Sequence, residues 1–212
     1  MLYYDHQHQG IHVAIWHVTE SYEELLGMLP DADSVCNEAE TKFRSKSRIT
    51  EWTAVRVLLY TMLERQVKIE YTESGAPYFP SYEGMYISIS HTKEYVAVAL
   101  SDKHKVGIDI EIIEKQKSEG NTRVERVSSK FMNENEHVNS MIGILLAWSA
   151  KESVYKLQND NHLDFKNDLI VESFDESNKE GSFNVIDRIN KSYNITYKVF
   201  DDFVFTLTSK ES

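Results

Sequence analysis

Two acidic residues stand between isoleucines in the segment VGIDIEII, residues 106–113. Because side chains alternate along a β-strand, Asp109 and Glu111 are expected on one face, with Gly107 leaving room for a ligand to approach. Carboxylates at positions i and i+2 have Cα atoms roughly 6.6 Å apart, and both can reach one hard cation. The pattern predicts two ligands for a divalent metal ion. The alternative is a half-exposed strand whose outer face simply carries charge.

A third carboxylate lies between two lysines in the segment WSAKESVYKL, residues 148–157. Helical spacing places Glu152 on the same stripe as Trp148, with Lys151 at the border of that stripe and Lys156 four residues after Glu152. Glu152 would complete the protein ligands of the cation, and the lysines would offset the charge of a bound phosphate. The alternative is an ordinary salt bridge between Glu152 and Lys156, worth about 0.3–0.5 kcal/mol.

A hydroxyl and an imidazole follow one another in the segment ISISHT, residues 87–92. Ser90 and His91 are expected where a strand gives way to a turn, a position from which both side chains can face a phosphate. The alternative is that Ser90 caps the turn.

The elements that must position these residues follow from the spacing of apolar side chains. Alternation predicts strands at residues 11–16, 85–90, 94–101, 105–113, 194–200 and 203–208. Helical spacing predicts helices at residues 39–66, either continuous or broken near 45–47, and at 141–158. The three central strands are close enough in sequence for an antiparallel meander, residues 115–126 are expected to form a solvated loop or a marginal helix, and residues 6–8 are expected in a mobile tail. This order predicts an α+β protein with an N-terminal half at residues 1–103 and a C-terminal half at 104–212 that carries the acidic residues.

The composition excludes several classes of partner. The 34 acidic and 23 basic residues give a net charge of −11, which argues against binding to nucleic acid or to an anionic membrane. Cys36 is the single cysteine, so an internal disulfide is impossible and a reducing compartment is expected. The sequence lacks both a run of about 18 apolar residues and the basic-then-apolar order of a signal peptide. A cytoplasmic location is therefore expected.

The three segments ISISHT, VGIDIE and WSAKESVYK, in this order and at these intervals, resemble the signature blocks of the 4′-phosphopantetheinyl transferases, most nearly the Sfp-type (surfactin-synthetase-activating) enzymes. The resemblance covers roughly residues 48–169. It implies two similar α+β halves that form an intramolecular pseudo-dimer, with coenzyme A in the cleft between them. It also implies transfer of 4′-phosphopantetheine from coenzyme A to a serine of an apo acyl or peptidyl carrier protein, with Mg²⁺ (or Mn²⁺) as cofactor and release of 3′,5′-ADP. Since one chain would then suffice, a monomer is expected.

The resemblance also assigns roles to individual residues of the second and third segments. Asp109, Glu111 and Glu152 match the metal-binding acids. Lys151 and Lys156 match lysines that hold the phosphates of coenzyme A and steady the reacting phosphoryl group. Glu152 and Lys156 are the expected catalytic residues, with Glu152, or a metal-bound water held by Glu111, as the general base.

A further set of residues matches those that bind the nucleotide of coenzyme A. Ser90 and His91 match residues that touch its phosphates. Arg48 matches the arginine near the 3′-phosphate, and Arg44 or Arg56 is the alternative for this role.

Two departures from the family pattern support a different function. Ala76 stands where the family usually has the lysine of a Gly-Lys-Pro loop, and residues 159–162, Asn-Asp-Asn-His, replace a glycine-rich turn. Asn159 tolerates left-handed backbone angles, so the turn itself can be kept. The alternatives to a transferase are a catalytically weak or inactive homologue that binds coenzyme A or a carrier protein, and a Mg²⁺-dependent phosphodiesterase.

Overall fold

The structure, a computed structural model, describes residues 1–114 and 122–211. Internal contacts divide the chain into two compact units, Met1–His104 and Lys105–Ser212. Each unit combines one main antiparallel or mixed sheet with helices and has its own apolar core, which confirms the predicted α+β class. The kinship of the two halves and the functional division at residues 103 and 104 stay predictions.

The elements have the following bounds in the described residues. The strands are β1 (Leu2–His8), β2 (Ile11–His17), β3 (Glu70–Tyr71), β4 (Pro77–Tyr78), β5 (Tyr86–Thr92), β6 (Tyr95–Ser101), β7 (His104–Ile112), β8 (Leu169–Val171), β9 (Glu180–Asp187), β10 (Ser192–Val199) and β11 (Phe203–Glu211). The helices are α1 (Tyr22–Gly27), α2 (Ala32–Lys42), α3 (Lys46–Leu63), α4 (Arg123–Val127) and α5 (Met141–Gln158), and a 3₁₀ turn spans Ser128–Lys130.

In the first unit, helix α3 packs on a sheet with the strand order β1-β2-β6-β5. The chain leaves the helical conformation at Phe43, whose backbone is extended, and α3 begins after Ser45. The option of two helices broken near residues 45–47 is therefore confirmed. The core beneath α3 is made by Trp16, Leu58 and Val98, among others.

The predicted meander of three central strands is wrong. Strand β6 is buried along its whole length and pairs antiparallel with β2 on one side and with β5 on the other. Both of its edges are thus used, and β7 instead joins the sheet of the second unit beside β11. Short loops made the meander plausible, but the loop before β7 connects two different sheets.

The expected mobile tail at residues 6–8 is also wrong. His6 and His8 lie in β1, where they pair with Val13 and Ile11 of β2. Because β1 is an edge strand with exposed side chains, it carries no alternating apolar pattern that would reveal it in the sequence.

In the second unit, helix α5 packs on a sheet with the order β7-β11-β10-β9-β8. The hydroxyls of Ser149 and Ser153 lie 2.9 and 2.7 Å from the hydroxyl of Thr206 on β11, so buried polar groups tie the helix to the sheet. Helix α5 also approaches β7 closely, since a Cβ atom on Gly107 would lie 2.0 Å from the carbonyl oxygen of Ser153. The space that Gly107 was expected to leave for a ligand is therefore filled by α5.

Both ends of α5 have clear local causes. The Ser140 hydroxyl accepts a 2.9 Å hydrogen bond from the amide of Gly143 and caps the N-terminus. Asn159 ends the helix in the left-handed conformation, with φ of +54°, as the sequence suggested for this position. The predicted bounds of 141–158 agree with the observed helix.

A charged loop or marginal helix was predicted at residues 115–126, of which residues 115–121 lie outside the described part of the chain. From there, Thr122 and Glu125 form a capping box that starts the short helix α4. Across the described ranges, no helix is both long enough and apolar enough to cross a membrane.

Candidate functional site

Asp109 is held by a lysine of the neighbouring helix. The Nζ atom of Lys156, on α5, donates to Asp109 Oδ1 at 2.8 Å and to the carbonyl oxygen of Ile108 at 3.0 Å. Asp109 is only 4% exposed, whereas about a quarter of the Lys156 side chain reaches solvent. Strand β7 and helix α5 thus place the first predicted metal ligand and the predicted catalytic lysine in direct contact.

Glu111, two residues further along β7, is held by an aromatic side chain. The indole Nε1 of Trp148 donates to Glu111 Oε1 at 2.7 Å. The pKa of Glu111 is raised to about 7, mainly by burial and also by the charge of Asp109, while the hydrogen bond from Trp148 and the charge of Lys156 act in the opposite direction. The sequence had placed Trp148 beside Glu152, but its partner is Glu111.

Glu152 belongs to the same electrostatic environment. Its pKa is raised to about 7, mainly by burial and also by the charges of Asp109 and Glu111, while the ammonium group of Lys156 acts in the opposite direction. The charges of Asp109 and Glu111 thus act on Glu152, and we refer to these three residues as the acidic cluster. Perturbed carboxyls of this kind are typical of functional sites, because keeping several carboxylates together in a buried place destabilises the fold.

The chemistry of the acidic cluster fits a hard divalent cation such as Mg²⁺. Three carboxylates supply oxygen ligands, and a cation would relieve the repulsion that raises the pKa values of Glu111 and Glu152. The side chains do not converge on one point in this structure: within residues 1–114 and 122–211, no group of three or more His, Cys, Asp or Glu side chains is arranged to hold a metal ion. The assignment of all three as metal ligands stays a prediction.

Lys151 lies in a more enclosed environment than helical spacing indicated. Its side chain is fully buried, and its Nζ donates to Glu136 Oε1 at 2.7 Å and to the carbonyl oxygens of Phe131 and Phe165 at 2.7 and 2.9 Å. An ammonium group has three N–H donors, and these three acceptors use them all. The ammonium group of Lys151 is therefore enclosed by protein acceptors in this structure. Helical spacing alone placed this side chain at the border between core and surface and could not decide which of the two it faces.

A cavity of about 230 Å³ lies beside Glu111 and Trp148. Its walls are largely apolar and include Val124, Met141 and Leu145, together with the charged Arg123. The cavity places an apolar surface next to a member of the acidic cluster, which suits a substrate that has both an apolar part and a phosphate.

The predicted nucleotide-binding residues lie in the first unit. Arg48 Nη1 is 2.6 Å from His91 Nε2, and the carboxylate of Glu51 lies 3.1 Å from Arg48 and 3.6 Å from His91. The structure thus brings two of the predicted residues together, and adds Glu51, which the sequence analysis missed although it stands three residues after Arg48. Ser90 is 5% exposed and lies inside β5 rather than at the turn, since the strand continues to Thr92.

The alternatives to Arg48 differ in exposure. The guanidinium of Arg56 is buried 3.0 Å from the centre of the Trp52 ring and donates to the carbonyl oxygen of Trp52, and burial lowers its pKa to about 10. Arg56 is therefore part of the core of the first unit. Arg44 is exposed.

The two departures from the family pattern lie in well-formed turns. Ala76 closes the loop between β3 and β4, where its amide and carbonyl both bond to Thr72. Asn159 keeps the left-handed turn after α5, and Asn161 accepts a 2.8 Å hydrogen bond from the hydroxyl of Tyr155.

Comparison with known proteins finds a family match within the second unit. Residues 105–208 match the family model of the 4′-phosphopantetheinyl transferase superfamily. The 4′-phosphopantetheinyl transferase AcpT of Salmonella typhi is 37% identical over 87 residues, which are 41% of this chain and 42% of that protein. AcpT of Escherichia coli strain K12 is 38% identical over 66 residues, which are 31% of this chain and 34% of that protein.

These matches span less than half the length of the curated relatives. The family-model match, at residues 105–208, includes α5 and all of β7 except its first residue, and with them the acidic cluster and Lys156. Residues 105–208, about half of this chain, thus match the 4′-phosphopantetheinyl transferase superfamily.

Proposed function

We propose that this chain transfers the 4′-phosphopantetheine group of coenzyme A to a serine hydroxyl of an apo carrier protein and releases 3′,5′-ADP. One observation carries the proposal: in the region that matches the superfamily, the ammonium group of Lys156 on α5 contacts Asp109 of β7, and burial and the charges of Asp109 and Glu111 raise the pKa of Glu152. Such an arrangement suits phosphoryl transfer, where positioning and charge stabilisation provide most of the catalysis.

The acidic cluster is the proposed site of Mg²⁺, with Asp109, Glu111 and Glu152 as its protein ligands. When bound, the cation supplies positive charge that offsets the charge of the diphosphate of coenzyme A. Mn²⁺ prefers the same oxygen ligands and is expected to replace Mg²⁺.

Lys156 is the proposed residue for stabilising charge on the transferring phosphoryl group. Two of its N–H donors are used by Asp109 and Ile108, and part of its side chain is exposed. The contact with Asp109 fixes the position of the ammonium group, so that it need not be ordered when the substrate binds.

The bonds change as in a displacement at phosphorus. The serine oxygen of the carrier forms a bond to the phosphorus attached to pantetheine, and the bond from that phosphorus to the bridging oxygen breaks. The electron pair leaves with 3′,5′-ADP, and the serine proton passes to the carboxylate of Glu152.

Arg48, Ser90 and His91 are the proposed ligands of the nucleotide phosphates. The contact between Arg48 and His91, together with the exposure of both side chains, supports this role for the pair. Lys151 has no part in the proposal, because its ammonium group is enclosed by protein acceptors.

The proposal extends to the setting of the reaction. We infer an Sfp-type enzyme that acts as a monomer in the cytoplasm on acyl or peptidyl carriers. The negative net charge and the single cysteine support a protein that neither coats nucleic acid nor relies on disulfides.

The direct test is incubation of the protein with coenzyme A, Mg²⁺ and a panel of apo carrier proteins, followed by mass spectrometry of the carriers. We expect one or more carriers to gain the mass of phosphopantetheine, together with an equal amount of 3′,5′-ADP. Binding of coenzyme A without a mass gain would indicate an inactive binding homologue, and ADP release without a carrier would indicate a phosphodiesterase.

The variant Glu152→Gln tests the role of the acidic cluster in the same assay. We expect transfer to fall by at least about 10³-fold, because the variant loses a proposed metal ligand and the proposed base. The matched control is Glu180→Gln, which changes an exposed glutamate of β9 in the same unit and is expected to leave transfer unchanged. Near-normal transfer by Glu152→Gln would remove that residue from the mechanism.

A further inference from the structure

A second ion pair on α5 takes no part in the proposed chemistry. Lys151 and Glu136 are 2.7 Å apart, and both side chains are completely buried. Burying two charges costs several kcal/mol of desolvation for each ion, so such a pair is weak evidence for stability by itself. We refer to these two residues as the buried ion pair and ask what it holds in place.

The buried ion pair fixes the backbone at four places. Glu136 accepts hydrogen bonds from the amides of Asn133 and Val171, at 2.6 and 2.7 Å. Lys151 donates to the carbonyl oxygens of Phe131 and Phe165, at 2.7 and 2.9 Å. Apolar side chains of the same volume could fill this space, but they could not form these directional bonds.

Two of the fixed residues flank the indole of Trp148. The ring centroids of Phe131 and Phe165 lie 4.9 and 5.4 Å from that of Trp148, in tilted arrangements. Trp148 lies one helical turn before Lys151, and its Nε1 donates to Glu111. A continuous set of contacts therefore runs from the buried ion pair, through two phenylalanines and one indole, to the acidic cluster.

We propose that Lys151 and Glu136 are positioning residues, which fix Phe131 and Phe165 and thereby direct the Trp148 indole at Glu111. The consequence for catalysis rests on the proposed transferase function. The effect on the orientation of Trp148 does not depend on that function, because it follows from side-chain packing alone. A positioning role explains why two charges are kept in the core on the helix that carries Glu152 and Lys156.

The test replaces the buried ion pair by uncharged side chains of similar size, in the double variant Lys151→Met with Glu136→Gln. The readout is the indole N–H resonance of Trp148 in ¹H–¹⁵N NMR spectra, assigned with Trp148→Phe. We expect this resonance to move upfield and its exchange with solvent to become roughly tenfold faster, because the bond to Glu111 is weakened. The indole resonances of Trp16 and Trp52 should stay in place.

The matched control is the double variant Lys198→Met with Glu180→Gln, which removes an exposed ion pair of 2.9 Å between β10 and β9 in the same unit. It should leave the Trp148 resonance unchanged. A folded Lys151→Met, Glu136→Gln protein with an unchanged Trp148 resonance and exchange rate would overturn the proposal. Should this double variant not fold, Glu136→Gln alone, which keeps one acceptor oxygen, must show the same change, and an unchanged Trp148 signal in it would equally overturn the proposal.

Kinetics separate this inference from the proposed function. In an active protein, we expect the double variant to lower kcat of phosphopantetheine transfer roughly tenfold and to leave KM for coenzyme A within about twofold, because Glu111 is misplaced while nucleotide contacts are kept. A changed Trp148 signal in a chain without transferase activity would support the positioning role and reject the proposed function. Active transfer by the unaltered protein, with an unchanged Trp148 signal in the double variant, would support the proposed function and reject the positioning role.

Discussion

Helix α5 carries two lysines five residues apart, and each pairs with a carboxylate in a different environment. Lys151 and Glu136 are 2.7 Å apart with both side chains fully buried. Lys156 and Asp109 are 2.8 Å apart with 24% and 5% of their side chains exposed. Five residues correspond to a rotation of about 140° around the helix axis, so the two ammonium groups leave the helix in different directions.

The difference between these pairs shows how burial decides what a lysine can do. Three protein acceptors surround the ammonium group of Lys151, and desolvation lowers its pKa even though the charge of Glu136 opposes this. Lys156 combines a fixed contact to Asp109 with access to solvent, which is what a residue that meets a phosphate requires. The first pair supports the structure around the site, and the second is suited to act in it.

The largest effect should come from breaking the buried ion pair on one side. Glu136→Ala is expected to lower the free energy of unfolding by about 3–5 kcal/mol, because it leaves the Lys151 charge buried without its carboxylate. Asp109→Asn should cost less than about 2 kcal/mol, since Lys156 can turn toward water. Urea unfolding at pH 7.5 measures both, and equal losses would show that the two pairs do not differ as described.

Lys156→Met should separate activity from stability. We expect phosphopantetheine transfer to fall about 10²-fold, equivalent to about 2.7 kcal/mol of transition-state stabilisation. The free energy of unfolding should fall less than it does for Lys151→Met, because about a quarter of the Lys156 side chain reaches solvent whereas the Lys151–Glu136 pair is completely buried. Steady-state transfer rates and urea unfolding of the same preparation give both values. Lys151→Met is the comparison, and a larger loss of stability from Lys156→Met would contradict the distinction.

The smallest effect concerns the cost of keeping Glu152 beside the other carboxylates. Its pKa is raised from 4.5 to about 7 in the folded protein, so the folded state binds a proton more tightly than the unfolded chain. Protonated Glu152 therefore contributes to the free energy of unfolding. This contribution is complete below pH 4.5 and is lost as the pH rises through 7. Glu152→Gln imitates the neutral carboxyl and should therefore be more stable than the unaltered protein at pH 8, by about 2 kcal/mol.

The same measurement at pH 4.5 should show little difference between Glu152→Gln and the unaltered protein. Urea unfolding in the presence of a chelator provides the test, with Glu180→Gln, at an exposed position of the same unit, as the control. A stability difference that is the same at pH 4.5 and pH 8 would exclude the buried charge of Glu152 as its cause.

Much of the fold could be predicted where apolar periodicity is strong. Helix α5 has the predicted bounds, and β2 differs from its prediction by one residue, because each buries a continuous apolar face. Strand β1 was missed since its side chains are exposed, and β9 was missed because Glu, Gly, Ser and Asn weaken its alternating pattern. These segments become strands through pairing with their neighbours.

The site was predictable to a similar extent. Asp109, Glu111, Glu152 and Lys156 could be found from their chemistry and spacing, and the structure brings them into one electrostatic environment. The hydrogen bond from Trp148 to Glu111 was not predicted, because helical spacing placed Trp148 on the same stripe as Glu152 instead. Glu136 gave no signal, since its partner lies 15 residues away in the sequence.

The sequence by itself determined which side chains carry charge, which elements they lie on and which face of each element they share. These properties depend on residue type and on the regular geometry of strands and helices. The tertiary structure decided which lysine is enclosed, which carboxylate the indole binds and which sheet β7 joins. Those outcomes depend on contacts between segments far apart in the chain, and burial and electrostatic interactions arise only when these segments meet.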